Sequence, residues 1–283
     1  MIRHRDAELE MGLNGKKKKL AALLRSYGST LVAYSGGVDS TLLAVLAREV
    51  LGDKCLAVTA VSPIHSTEEV ETAKALARKF GIRHLVIRSR ELNDPAFKAN
   101  PVRRCYLCKK MLFEQIRALA KRRGIPVVID GSNADDLKAY RPGLKALKEL
   151  KIKSPLAEAG LTKNEIRQMA KQKGISAWNA PANACLATRI PYGTAITPKI
   201  LKQIERSEQA LHQLGFSQCR VRHHGELARL EILPSEFDKV LKSKDKIIGS
   251  LRRAGYKFIA LDLAGYQSGC FDPQTNDGKN GKR

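Results

Sequence analysis

The sequence predicts an α/β protein: a parallel sheet with helices on both faces, joined to a smaller C-terminal α+β domain. Three observations carry this. Short apolar runs alternate with helix-period segments as far as Asp130. A glycine-rich turn follows the first apolar run and opens the next helix. Beyond Arg189 the pattern changes to one long helix and two runs with two-residue alternation.

Residues 1–15 read as loosely ordered, and the basic run Lys16–Lys19 leads into an amphipathic helix with Leu20, Leu23 and Leu24 on one face. That run suits an anion-steering arm or a solvated helix face. Thr30–Tyr34 is a buried strand, and a helix runs from Ser40 to about Val50. Cys55–Val61 is a second strand. The helix Thr67–Phe80 stops at the C-capping Gly81. His84–Ile87 is a third strand. Cys105–Arg123 is a helix ended by Gly124, and Val127–Asp130 is a fourth strand. Such a sheet places ligands at the carboxyl ends of its strands. Later come a helix over Pro198–Leu214, a hairpin from Cys219–His223 and Leu227–Leu233 around Gly225, further helical sequence, and a last strand, Phe258–Leu263. The expected division is a nucleotide domain over 1–189, a small substrate and oligomerisation domain over 190–270, and a disordered tail over 271–283. No internal repeat is evident.

Composition narrows the partners. Lys plus Arg number 51 against 28 Asp plus Glu, a formal net charge of +23. Such a field attracts nucleic acid or small molecules bearing several phosphates and carboxylates; a solvated basic surface is the plain alternative. Met1–Glu10 is charged with no apolar run behind it, and no stretch has membrane-span length. Six cysteines in 283 residues do not make a disulfide scaffold. A reduced, cytoplasmic setting is expected, with thiols available for metal or sulfur chemistry.

Ser35-Gly36-Gly37-Val38-Asp39-Ser40 sits between a strand and a helix. Two glycines allow a tight turn whose amides point at one phosphate, and the helix N-terminus adds its positive end. Ser35 and Ser40 offer hydroxyls. Asp39 suits a Mg²⁺ ligand or a helix cap better than a phosphate contact. The Gly-Lys-Ser/Thr ending of a Walker A loop is missing. The segment resembles the SGGxDS signature of the PP-loop ATP pyrophosphatases, which attach AMP to a substrate oxygen and release pyrophosphate.

The resemblance sharpens after the fourth strand. Asp130-Gly131-Ser132-Asn133-Ala134-Asp135-Asp136, Arg141-Pro142-Gly143, Ser154-Pro155-Leu156-Ala157-Glu158, Thr162-Lys163-Asn164-Glu165-Ile166-Arg167 and Pro181 to Gly193 are together similar to the LarE family of ATP-dependent sulfur transferases. The likeness runs from about residue 16 to 270. It implies ATP with Mg²⁺, and a substrate, pyridinium-3,5-biscarboxylic acid mononucleotide, whose carboxylates become thiocarboxylates on the way to a nickel-pincer nucleotide. It implies that Gly131, Asn133 and Asp136 lie over the nucleotide. It implies that Arg189, Arg220, Arg222 and Glu231 surround the anionic substrate. Alternation places Arg220 and Arg222 on one strand face, where an ordinary charged surface is the rival reading. It also suggests a homo-oligomer. The terminal segment departs from the family's usual Gly-Tyr-Arg-Ser-Gly-Ser, reading Gly265-Tyr266-Gln267-Ser268-Gly269-Cys270.

Members of the family differ in their sulfur source. One kind sacrifices the cysteine matching Cys185 and is left with dehydroalanine. The other holds a [4Fe-4S] cluster on three cysteines and passes on sulfide from an open iron. Cys105-Tyr106-Leu107-Cys108 with Cys185 supplies three candidate ligands. The resemblance therefore implies the cluster first, with sulfide or another sulfur donor as partner, and a sacrificial Cys185 second. Zinc, a redox pair and inert thiols also fit a lone Cys-x-x-Cys. Cys55 reads as core, and Cys219 and Cys270 as incidental. Rival functions are a cluster-dependent tRNA thiolase, a non-catalytic nucleotide or iron-sulfur carrier, and an amidotransferase-type enzyme.

Overall fold

The computed structural model describes residues 2–138, 142–180, 184–267 and 271, with backbone alone for 2–11. In chain order the elements are α1 (Ile2–Tyr27), β1 (Thr30–Ala33), α2 (Val38–Leu51), β2 (Cys55–Val61), α3 (Thr67–Lys79), β3 (His84–Arg88), α4 (Pro95–Lys98), α5 (Arg104–Arg122), β4 (Val127–Ile129), α6 (Pro142–Glu149), α7 (Pro155–Glu158), α8 (Lys163–Gln172), α9 (Pro198–Gln213), β5 (Cys219–His224), β6 (Leu227–Ile232), α10 (Phe237–Lys242), α11 (Lys244–Ala254) and β7 (Phe258–Leu261). They form two compact units. The first takes the chain to Ser62, then Thr67–Glu91 and Cys105–Asn183; the second takes Pro63–Ser66, Leu92–Arg104 and the chain from Ala184 onward.

The first unit is built on a four-stranded sheet in the order β3-β2-β1-β4, parallel throughout. Both faces are buried, as parallel sheets require. Alternation sends Val32, Ala57 and Ile129 into one core with residues of α1, α2 and α8. Leu31, Leu56, Val58 and Val128 face the other core, with Phe113, Ile116 and Leu119 of α5 and Leu147 of α6. Beyond β4 the chain stays in register: the Asp130 amide donates to the Lys153 carbonyl at 2.9 Å.

Two sequence expectations change here. Residues 1–15 were expected to be loose, but α1 begins at Ile2. This stretch is rich in good helix formers and has no proline, yet it carries no apolar stripe for periodicity to detect. The stretch 142–172, read from sequence as motifs without helices, holds α6, α7 and α8. There α8 starts with a complete capping box between Thr162 and Glu165. Among the described residues, no helix is long and apolar enough to cross a membrane.

The second unit carries a three-stranded sheet, β5-β6-β7. The β5–β6 hairpin turns at Gly225, whose φ is +65°, and β7 adds in parallel to β6. One face packs Cys219, Val221, Leu230 and Ile232 against Leu211 of α9 and Ile247 and Leu251 of α11. The opposite face carries Arg220, Arg222, Arg229 and Glu231. The segment 92–104 is knitted to 190–196. Asn100, fully buried, donates its amide to the carbonyls of Ile190 and Pro191, at 3.3 and 2.8 Å. Arg104 donates to Asn100 Oδ1 at 2.7 Å and to the Ile190 carbonyl at 3.2 Å, and lies 4.6 Å from the Tyr192 ring.

Candidate active site

The phosphate loop closes on itself through its serines. Ser40 Oγ donates to the Gly37 carbonyl at 3.1 Å and accepts the Ser35 amide at 3.2 Å. Ser35 Oγ accepts the Gly37 amide at 3.3 Å and lies 3.1 Å from Ser40 Oγ. Gly36 has φ +79°, and a Cβ there would meet the Cα of Ala73, in α3, at 2.9 Å. A Cβ on Gly131 would meet the amide nitrogen of Ser40 at the same 2.9 Å. Both glycines are therefore required by backbone approach, and Gly131 brings the end of β4 against the first turn of α2. The helix starts two residues before the sequence suggested, at Val38 with Gly37 as N-cap, so Asp39 lies inside its first turn.

Around Asp39 the remaining nucleotide-site candidates of this unit converge. Asn133 donates its side-chain amide to Asp39 Oδ1 at 3.2 Å. Lys163, at the start of α8, places its ammonium on Asp39 Oδ2. Asn133 Oδ1 accepts the amides of Asp135 and Asp136, and Asp136 Oδ2 accepts the Asn133 amide at 3.0 Å. Asp135 in turn accepts the Lys163 amide at 2.8 Å. Ser132 and Ser154 both donate to the buried Asp130, at 2.6 and 2.5 Å. Sequence reasoning named Gly131, Asn133 and Asp136 here. It missed Lys163, which a lysine at the first position of a capped helix could have signalled.

A second group missed from sequence sits behind the loop. Thr59 donates its hydroxyl to the Tyr34 carbonyl at 2.8 Å, which leaves that oxygen to accept His84 Nε2–H at 2.7 Å. Burial, and after it the Lys74 ammonium, pushes His84 below its ordinary value of 6.5.

Cys105 and Cys108 are half-buried thiols three residues apart on the first turns of α5, on one side of that helix. Cys185, also half-buried, precedes the 3₁₀ turn Leu186–Arg189 in the second unit. The donor chemistry of these three thiols suits an iron-sulfur cluster. Among the described residues, no three His, Cys, Asp or Glu side chains are grouped to hold a metal ion. Cys55 and Cys219 are fully buried, as expected of Cys55; burial pushes their thiols up to about 11 and about 12. Cys270 lies outside the described residues.

The charged face of the second sheet gathers the other candidates. Cross-strand register pairs Arg220 with Glu231 and Arg222 with Arg229. Glu231, 1% exposed, receives Arg222 Nη2 at 2.6 Å and Arg229 Nη2 at 3.0 Å. Arg222 also donates to the Thr188 carbonyl at 2.8 Å, and its guanidinium lies 5.0 Å from the Phe271 ring. Arg220 donates to the Cys219 carbonyl at 2.8 Å and lies 5.3 Å from the Tyr266 ring. Burial, and then the charge of Arg189, pulls Arg220 below the ordinary arginine value. A buried face with this surplus of guanidinium groups is suited to an anion. Arg189 is committed to protein groups. Its fork spans Glu208 at 3.0 and 2.9 Å, and its Nη1 reaches the Cys185 carbonyl at 3.0 Å.

The chain is similar in sequence to several known proteins. A model of the asparagine synthase family matches residues 20–229. An uncharacterised protein of Synechocystis is 42% identical over 259 residues, 91% of this chain and 97% of that one. Pyridinium-3,5-bisthiocarboxylic acid mononucleotide synthase of Lactiplantibacillus plantarum is 36% identical over 255 residues, 90% of this chain and 92% of the relative. An uncharacterised protein of Methanocaldococcus jannaschii is 35% identical over 238 residues, covering 84% and 90%.

Proposed function

The chain belongs to the LarE family of ATP-dependent sulfur transferases, within the PP-loop enzymes, and we propose that its substrate is the pyridinium-3,5-biscarboxylic acid mononucleotide, whose carboxylates it converts to thiocarboxylates. The observation that carries this reading is the loop at the N-terminus of α2, with two glycines fixed by backbone approach and Asp39 beside them. It offers amides and a helix end to a polyphosphate. The second unit carries buried arginines suited to a second anion.

Two half-reactions follow. A substrate carboxylate oxygen attacks the α-phosphorus of ATP, and the bond to pyrophosphate breaks. The loop amides of 36–40 stabilise the negative charge that collects on the departing pyrophosphate. Lys163 sits on Asp39 and is placed to shift its charge to an arriving phosphate. When bound, Mg²⁺ supplies neutralisation of phosphate oxygens, and Asp39 is the residue proposed to hold it. A sulfur nucleophile then attacks the acyl carbon, and the bond to AMP breaks.

Cys105, Cys108 and Cys185 would hold a [4Fe-4S] cluster, which when bound supplies an iron able to carry sulfide. The second reading makes Cys185 itself the donor: its thiolate forms the thioester, then loses the Cβ–S bond and its Cα proton to become dehydroalanine. The firm anchoring of the peptide after Cys185 favours keeping this reading.

The test supplies ATP and the dicarboxylate mononucleotide and follows pyrophosphate and product mass. Pyrophosphate release that requires the mononucleotide, with oxygen replaced by sulfur in the product, supports the proposal. Cys185→Ala is expected to abolish sulfur transfer and spare pyrophosphate release. Release that responds to tRNA and not to the mononucleotide would sink the substrate assignment.

A further inference from the structure

The peptide that follows Cys185 is fixed at both ends. Its carbonyl accepts three donors: the Thr188 amide at 2.9 Å, the Thr188 hydroxyl at 2.8 Å and Arg189 Nη1 at 3.0 Å. Its other end, the Leu186 amide, donates to the Ile64 carbonyl at 2.8 Å. A peptide is planar, so these bonds fix the plane that follows the Cys185 Cα; the preceding plane is held through its Ala184 carbonyl, and the two together set the direction in which the Cys185 side chain leaves the backbone. Arg189 also reaches the Ala184 carbonyl at 2.5 Å and the Thr188 hydroxyl at 3.0 Å.

The same guanidinium grips Glu208 of α9 bidentately, and Arg189 is only 2% exposed. Glu208 Oε1 accepts a further bond from the Val221 amide at 2.9 Å. Val221 lies between Arg220 and Arg222 in β5. From the other side, Arg222 donates to the Thr188 carbonyl at 2.8 Å. Two independent ties therefore join the Cys185 turn to the strand that carries the arginines.

A buried ion pair is a poor device for stability alone, because well-packed apolar side chains of similar volume do as well or better. What it supplies here is a fixed geometry with all its bonds satisfied at Glu208. We propose that Arg189 and Glu208 form a positioning pair, which aims the Cys185 sulfur at a substrate whose anionic group is held by Arg220 and Arg222. This rests on the sulfur-transfer reading above. It gives Arg189 a role that acts through Cys185, in place of the direct substrate contact expected from the resemblance.

The experiment compares wild type with Arg189→Lys, which cannot fork, and with Thr188→Val, which keeps shape but removes the bridging hydroxyl. Three quantities are read: pyrophosphate release with the dicarboxylate mononucleotide, sulfur transfer, and the rate at which iodoacetamide alkylates Cys185. Peptides bearing Cys105 and Cys108 serve as internal references. In Arg189→Lys the ratio of sulfur transfer to pyrophosphate release is expected to fall about 30-fold or more. The Cys185 alkylation rate is expected to change at least five-fold relative to the references. Thr188→Val should fold, keep pyrophosphate release within two-fold, and lower sulfur transfer about five- to ten-fold, which keeps the proposal testable if Arg189→Lys does not fold. A transfer-to-release ratio and alkylation rate unchanged in both variants would overturn it. Wild-type protein that fails to release pyrophosphate with the mononucleotide would instead count against the function on which it rests.

Discussion

Lys163 rests its ammonium on the carboxylate of Asp39, joining the first turn of α8 to the first turn of α2 beside the phosphate loop. Both side chains are partly open to solvent, 31% and 22% exposed, so a phosphate can compete for the lysine. Lys163→Ala is expected to raise the KM for ATP about ten-fold or more, equivalent to about 1.4 kcal/mol, with Lys163→Arg recovering part of it. Steady-state pyrophosphate release measures this. An unchanged KM would reduce the contact to surface pairing.

Three glycines separate strain from close approach. Gly81 has φ +59° with nothing near its missing Cβ, whereas Gly36 and Gly131 face backbone atoms at 2.9 Å. Gly81→Ala is expected to cost only the left-handed penalty, about 1–2 kcal/mol, and to leave ATP use intact. Gly36→Ala adds a clash with α3 to that penalty, and Gly131→Ala pushes the end of β4 off the first turn of α2. Each clash should cost about 1–3 kcal/mol and abolish pyrophosphate release. Thermal midpoints and release rates, taken together, check the ordering.

The phosphate loop was legible because its chemistry is local. Gly36, Gly37, Asp39 and Ser40 fall within five residues of one another, between a strand and a helix that periodicity reveals. The parallel sheet was legible for the same reason, since each strand is an apolar run. What sequence could not show was pairing across distance. Lys163 lies 124 residues from Asp39, and Glu208 lies 19 residues from Arg189. Glu208 stands on a helix that reads as amphipathic, with nothing to say that its carboxylate is buried. The N-terminal reach of α1 was illegible for a different reason, because a polar helix has no stripe.

Acid should loosen the fold through its histidines. Burial pulls His84 and His223 below their ordinary 6.5, aided at His84 by Lys74 and at His223 by His224. The unfolded chain therefore takes up these protons at a higher pH than the folded one. Their contribution to stability is full above about pH 6.5 and is lost as pH falls through that value and below. The thermal midpoint should drop between pH 7 and 5, and His84→Gln should flatten part of the slope. The carboxyl of Glu165, which Lys16 and Thr162 hold below 4.5 against the opposing effect of burial, acts at lower pH and does not blur this window. A midpoint flat from pH 7 to 5 would contradict the burial of these imidazoles.

Iron content decides between the two sulfur sources. Cys105 and Cys108 share one side of α5. Protein purified or reconstituted without oxygen is expected to hold roughly four iron and four labile sulfide per chain, with a visible absorption band. Cys105→Ala and Cys185→Ala should each lose most of it. Because the phosphate loop draws on none of these thiols, the Cys105→Ala protein should still release pyrophosphate. A colourless, iron-free protein after proper reconstitution would return the donor role to Cys185. Its peptide should then appear as dehydroalanine after one turnover, in amounts equal to the sulfur transferred.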